Sequence, residues 1–153
     1  MEIAITYGTF DTFHIGHLNL LKNIRSRCNK LIVGVSTDEF NEDKGKKTLV
    51  PFEERLAIVS AIRYVDVAIA EHNWDQKVQD IQAHGVTSFY IGDDWAGKFD
   101  HLSSICAVHY LPRTLGISST VLKEKIGDKT KSLKIDIADR ISEIEKLILE
   151  LPE

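Results

Sequence analysis

The stretch EIAITYGTFDTFHIGHLNLLKNI, residues 2–24, decides how the rest of the chain is read. Its opening run, EIAITY, is short, apolar and rich in isoleucine, which is the pattern of a buried strand. Gly8 then lets the chain turn sharply off that strand. From Leu20 onward the apolar residues change period: Leu20, Leu21, Ile24 and Cys28 share one face of a helix. A strand, a tight corner and a helix make the first half of a βα unit. His14 and His17 lie three residues apart in that corner, with Gly16 between them.

The same rhythm continues outward. Apolar runs at 30–36 (KLIVGVS), 65–70 (VDVAIA), 87–91 (TSFYI) and 106–111 (CAVHYL) read as four more strands. Between them, Leu56, Val59 and Ile62 mark a helix that opens after Pro51, and another runs from about Trp74 to Gly85. Strands alternating with helices predict an α/β fold, a Rossmann-like, doubly wound, five-stranded parallel sheet with helices on both faces. Ligands of such sheets bind at the carboxyl ends of the strands, near the switch in strand order. The corner at 8–17, the segment GDDW at 92–95 and the segment PRTLGISST at 112–120 all fall at that edge. Residues 1–126 are expected to form this domain. Over 127–153 a short linker, GDKTKS, leads to a C-terminal amphipathic helix marked by Ile137, Ile141, Ile144, Ile148 and Leu151. That stripe either packs on its own domain or serves as a candidate oligomerisation element.

Composition narrows the function. The chain has 153 residues, enough to bury roughly two-thirds of the surface its unfolded form exposes. Apolar residues make up 43% and charged residues 27%, with no run near the ~18 apolar residues of a membrane span. Glu2 stands where an export signal carries bases, and Cys28 and Cys106 form no C-x-x-C pair, so a cytoplasmic setting is expected. A net charge of −4 argues against a broad nucleic-acid-binding face, and the acidic side of the C-terminal helix argues against a membrane surface. Local bases can still hold a small polyphosphate.

The corner suits phosphate. Gly16 brings backbone close to a ligand at a helix start, where unpaired N–H groups and the helix dipole favour anions. Two imidazoles at that place can donate ring N–H groups to phosphoryl oxygens. Zinc competes for the pair, but a zinc site needs a third ligand in a recognisable pattern and the sequence offers none. The pair could also fill space; the flanking glycines weigh against it. The later segment supplies a second anion site, with the planar fork of Arg113 and the hydroxyls of Ser118, Ser119 and Thr120 opening a helix. Taken alone, those hydroxyls would read as an ordinary helix cap.

Gly8-Thr-Phe-Asp-Thr-Phe-His-Ile-Gly-His17 resembles the G-T-F-D-x-x-H-x-G-H signature of the nucleotidyltransferase superfamily, and Arg113-Thr-Leu-Gly-Ile-Ser-Ser-Thr120 resembles the R-T-x-G-I-S-T-T signature of its cytidylyltransferase branch. The likeness extends through Ser36–Asn41, Arg63–Asp66, Asn73-Trp74 and Gly92–Trp95, and is nearest to the bacterial glycerol-3-phosphate cytidylyltransferases. It covers roughly residues 1 to 126. The tail lies outside it, and Leu115 stands where those enzymes carry Glu. Adenylyl-transferring relatives follow the I-S-S/T segment with an arginine; here Val121-Leu122-Lys123 follows, which favours cytidine.

The resemblance implies CMP transfer from CTP to sn-glycerol 3-phosphate, giving CDP-glycerol and pyrophosphate for a cell-surface polymer such as teichoic acid or capsule. It implies His14, His17, Lys46 and Arg113 as catalytic groups. It implies CTP contacts from Gly8, Thr9, Phe10, Asp11 and Gly16, from Gly92 and Asp94, and from Thr114, Gly116, Ile117, Ser118, Ser119 and Thr120. Lys44, Arg63 and Lys77 match positions that hold the acceptor phosphate, with Arg55 assisting and Trp74 a candidate wall of the substrate pocket. Asp11 is expected to orient a histidine or a magnesium-bound phosphate, and Asp94 to meet the nucleoside; Trp95 reads as a core aromatic. The segment EDKGKKT at 42–48 reads as a mobile loop that closes over the site. Mg2+ is implied as the partner of CTP, with no protein metal site, and a homodimer is implied as the assembly. Competing readings are CMP transfer to another small phosphorylated alcohol or amine, and a CTP-binding sensor without turnover. An aminoacyl-tRNA synthetase shares H-I-G-H, but the chain is too short to carry a tRNA-binding domain.

Overall fold

The computed structural model describes residues 1–149, with side chains through residue 144. It forms two units, Met1–Ser119 and the chain from Thr120 onward. The first unit holds five strands: β1 (Ile3–Gly8), β2 (Lys30–Ser36), β3 (Val67–Glu71), β4 (Ser88–Gly92) and β5 (Ala107–Leu111). Helices α1 (Ile15–Arg25), α2 (Asp38–Asp43), α3 (Phe52–Ser60) and α4 (Gln76–His84) lie between them, and two short 3₁₀ turns join β4 to β5. All strand pairs are parallel, in the order β3-β2-β1-β4-β5. The order reverses between β1 and β4, so the expected doubly wound sheet and its switch point are both present.

The reversal sorts the helices. Crossovers are right-handed, so connections that step one way cover one face and those that step back cover the other. Leu21 and Ile24 of α1 and Val59 of α3 pack with Ala4, Leu31, Val33 and Val35 on one face. Ile81 of α4, with Phe99 and Leu102 of the 3₁₀ segment, packs with Ile5, Tyr7, Ile32 and Phe89 on the other. Alternate residues of each strand enter opposite cores, as strand geometry requires. Gly34 of β2 exists for its neighbour's sake: a Cβ there would lie 2.2 Å from the Tyr7 ring.

The strands and three of the helices fall within a few residues of their expected places. Helix α2 was not expected. Thr37 caps it by accepting the Phe40 N–H at 3.2 Å, and Asp38 and Glu39 in its first turn suit the helix dipole.

In the second unit, α5 (Ser119–Leu149) is a single helix of 31 residues. It runs unbroken through 127–132, where the sequence suggests a linker. A lone Gly127 costs a helix only ~1 kcal/mol relative to alanine, too little to interrupt so long a run of good helix formers. Ile148 carries helical backbone, but its side chain and all of Leu151 lie outside the described residues.

Candidate active site

Because every strand runs the same way, the segments following β1, β2, β3, β4 and β5 emerge at one edge. The first carries the histidine corner. His14 is the N-cap of α1, and its Nδ1 accepts the Gly16 N–H at 3.0 Å. His17 returns the arrangement: its Nδ1 accepts the His14 N–H at 3.4 Å. The two rings stack with centroids 3.8 Å apart. A ring nitrogen that accepts a hydrogen bond carries no proton, so each neutral imidazole bears its proton on Nε2. Burial lowers the affinity of His14 for a second proton. Burial also brings His17 down to about 3, with His14 and Arg113 adding to the effect and Asp11 opposing it. Both rings are therefore neutral at pH 7, each presenting one Nε2–H. Gly16 serves this pair, since a Cβ there would lie 2.8 Å from the His14 ring.

The loop leading into the corner is held in a costly shape. Phe10 and Thr12 have φ of 52° and 48°, a left-handed region that non-glycine residues seldom occupy. Asp11 between them is 3% exposed. Its carboxylate accepts the N–H groups of Leu49 and Val50 at 2.9 and 3.0 Å, and its carbonyl accepts from the Ser119 hydroxyl at 2.6 Å. Asp11 thus ties the 44–50 loop and the end of the β5 segment to the histidine corner, and its charge opposes the lowering of the His17 pKa.

Arg55 departs from its expected place beside the acceptor phosphate. It is 1% exposed, and its guanidinium donates to the carbonyls of Val50, Thr9 and Ser36 and to Asp38 at 2.6–2.9 Å. These contacts join the ends of β1 and β2 to the loop before α3. The side chain supports the site's frame and has no fork left to clamp an acceptor phosphate.

The loops after β2 and β3 build a second group. Glu71 ends β3 at 2% exposure. One carboxylate oxygen bonds the Lys77 ammonium; the other accepts from the Ser36 hydroxyl at 2.5 Å and lies 3.8 Å from Lys44 Nζ. Lys44 itself donates to Ser36 at 2.8 Å. Aromatic rings surround the two ammoniums: Lys44 Nζ is 4.1 Å from the Phe40 centroid, and Lys77 Nζ is 4.6 and 4.9 Å from those of Tyr7 and Trp74. One carboxylate thus serves two cations, leaving a buried net charge of one plus, a natural receiver for a phosphate. Burial brings Lys44 down to about 8; Glu71 works against that, while Lys46, Lys77 and Arg55 add to it. Trp74 is half exposed and packs against Phe40, Trp95 and Phe99. Trp95 is only partly buried and lies against the second core. Lys46 is exposed, with Nζ 5.7 Å from the Trp95 centroid.

After β4 and β5, Arg113 grips Asp94 with both Nε, at 3.1 Å, and one terminal nitrogen. The two expected nucleotide contacts are thus paired with each other. Gly92 permits this fold-back, because a Cβ would meet the Asp94 carboxylate at 2.6 Å. Thr114 accepts from Asn19 of α1 at 3.3 Å, Ile117 packs 3.2 Å from the Cβ position of Gly16, and Gly116 takes a φ of 78°. Gly8, Thr9, Ser118 and Ser119 belong to this same edge, with Thr9 donating to Asn41 at 2.9 Å. Thr120 is the second residue of α5 and opens the second unit. Arg63 is not brought here. It lies between α3 and β3, at the amino edge of the sheet, with its guanidinium 5.6 Å from the Tyr64 ring.

Glu71, Ser36 and Asn41 are the residues the sequence reading passed over as site groups. Glu71 had a signal: a carboxylate closing an apolar strand at the ligand edge needs a cationic partner to be buried at all.

The cytidylyltransferase-like family model matches residues 5–125. The glycerol-3-phosphate cytidylyltransferase of Bacillus subtilis is 52% identical over 127 residues, covering 83% of this chain and 98% of that protein. That of Staphylococcus aureus is 46% identical over 129 residues, covering 84% and 98%. Among solved structures, the lipopolysaccharide core biosynthesis protein from Thermoplasma volcanium shares the fold with a TM-score of 0.63 at 26% identity, covering 74% of this chain and 97% of that one.

Proposed function

The chain belongs to the cytidylyltransferase-like family, and from that premise we propose that it transfers CMP from CTP to glycerol 3-phosphate, releasing pyrophosphate and forming CDP-glycerol. One observation carries the chemical reading: both Nδ1 atoms of the histidine pair are held by backbone N–H groups, so both Nε2–H groups are left to donate. A phosphomonoester is already largely dianionic at neutral pH, its second pKa being near 6, so attack on the α-phosphorus needs no strong base. The obstacle is charge. Donors fixed before the reaction and aimed at developing negative charge lower that barrier without having to reorganise.

In this scheme His14 and His17 donate to the α- and β-phosphates, and Arg113 leaves Asp94 to grip the β- and γ-phosphates. Lys46, on the loop over the site, joins the CTP phosphates. Lys44 and Lys77, held in the aromatic box by Glu71, receive the acceptor's phosphate. Bound with the triphosphate, Mg2+ would supply counter-charge and order its oxygens. The described residues contain no cluster of three or more His, Cys, Asp or Glu able to hold a metal.

Cys28 and Cys106 are free thiols, and no helix of the described residues is long and apolar enough to cross a membrane. We assign a homodimeric enzyme to the cytoplasm, supplying CDP-glycerol for a cell-surface polymer. The test is pyrophosphate release from CTP and Mg2+ with a panel of phosphorylated alcohols and amines. Release with glycerol 3-phosphate above all others is expected. Preference for another acceptor would overturn the substrate, and tight CTP binding without release would overturn the enzyme.

A further inference from the structure

We propose that α5 is a self-association element: two copies of the chain pair through antiparallel α5 helices, in a register centred on residue 135. The B. subtilis relative aligns over 98% of its own length within 127 residues, and the family match ends at residue 125, so the greater part of α5 is an addition to that plan. Every residue from 124 to 144 is exposed, including Ile126, Leu133, Ile137, Ile141 and Ile144. At 100° per residue, Ile126, Leu133, Ile137 and Ile144 fall within about 20° of one line down the helix, with Thr130 and Ile141 about 40° and 60° to one side. That is a narrow seam of the kind that one helix presents to another.

Two features of this seam select a second copy over any other occupant. Its spacing reads the same in both directions. The four aligned residues are separated by 7, 4 and 7 positions, symmetric about residue 135. Reversal therefore sets Ile126 level with the partner's Ile144, and Leu133 level with the partner's Ile137. A surface that complements itself under a two-fold axis is what an isologous interface requires.

The second feature is charge. Between 119 and 134 α5 has five lysines, Lys123, Lys125, Lys129, Lys131 and Lys134, against two acids; between 135 and 144 it has Asp136, Asp139 and Glu143 against Arg140 alone. Lys125, Lys129, Asp136 and Glu143 share one flank of the seam. Antiparallel pairing brings Lys125 and Lys129 of each helix to the partner's Glu143, whereas parallel pairing would set lysine against lysine. At the centre the two Asp136 carboxylates come near each other, and each is already paired with Arg140 of its own helix at 3.1 Å.

The inference is independent of the acceptor, and its test keeps the full chain. Sedimentation equilibrium of the wild type is expected to show one more association step than Ile137→Asp or Leu133→Asp, while all three release pyrophosphate from CTP equally. Equal masses would overturn the proposal. A charge swap checks orientation without touching the apolar seam. Lys125→Glu with Lys129→Glu, or Glu143→Lys alone, is expected to weaken the extra step about tenfold, and the three changes together to restore it. Failure of the combined variant to recover would overturn the antiparallel register.

Discussion

At His14 one side chain does two jobs that ordinary substitution confounds, because Nδ1 caps a helix while Nε2–H is left to donate to a ligand. Asparagine separates them, being among the best N-caps and too short to reproduce the outward donor. His14→Asn is expected to leave the melting temperature within about 2 °C of wild type, as a surface change of ~0.5 kcal/mol would. Turnover is expected to fall on the order of a hundredfold to a thousandfold, the usual loss for one transition-state donor. Thermal melts and steady-state rates check the two halves separately. Glu71 yields a pH prediction. Lys44 is charged below about 8 and loses its proton as the pH rises through that value, so acceptor use declines on the alkaline side. Lys44 is faced by Glu71 and Ser36 from β3 and β2, by Lys77 from α4, by Arg55 from α3 and by Lys46 from its own loop. Glu71→Gln removes the one negative charge among these groups. The alkaline limb of kcat/KM for the acceptor is then expected to move down by about one pH unit, roughly a fivefold loss at pH 8 that approaches tenfold at higher pH. A limb that stays in place would show that Glu71 does not set this charge.

The elements around the site are tied by side chains rather than by strands. The loop after α2 carries Lys44 and Lys46, and at its far end Leu49 and Val50 are latched to Asp11. Asp11→Asn keeps one acceptor and sets an amide N–H against the second backbone N–H. Leaving such a group unsatisfied costs roughly 1–3 kcal/mol, or about 2–12 °C in a chain of this size. The KM for both substrates is expected to rise with it, because the latch positions the lysine loop. Unchanged KM values would separate the latch from the site. The sequence showed the helix-forming stretches where apolar period 3.6 is sustained, as at Leu20, Leu21 and Ile24. It missed α2, which has only six residues and owes its existence to the Thr37 cap. It also placed a linker at 127–132, because Gly, Asp, Thr and Ser read as loop formers when taken singly, whereas the run from Ser119 to Leu149 is long enough to carry them.

For the whole molecule, ligand binding and folding are linked. CTP with Mg2+ at about a hundred times its Kd is expected to stabilise the first unit by ~2.7 kcal/mol, raising its melting temperature by roughly 5–10 °C. Chelating Mg2+ is expected to remove most of that rise, and a melt indifferent to nucleotide would count against the site. By itself the sequence determined the sheet and its ligand edge. The period-two and period-3.6 patterns require alternating strands and helices, and parallel strands deliver His14, Lys44, Lys77 and Arg113 to a single edge whatever the details between them. What those groups bond to was decided only by the tertiary structure. Arg55 was read as a phosphate ligand and is bound to Thr9, Ser36, Val50 and Asp38; Asp11 holds loop amides almost forty residues away in the chain; Asp94 and Arg113 close on each other. The reason is physical. An apolar side chain acts through its period along the chain, which can be read in one dimension, whereas a buried polar group must bond to whichever partner lies within about 3 Å, and the fold chooses that partner.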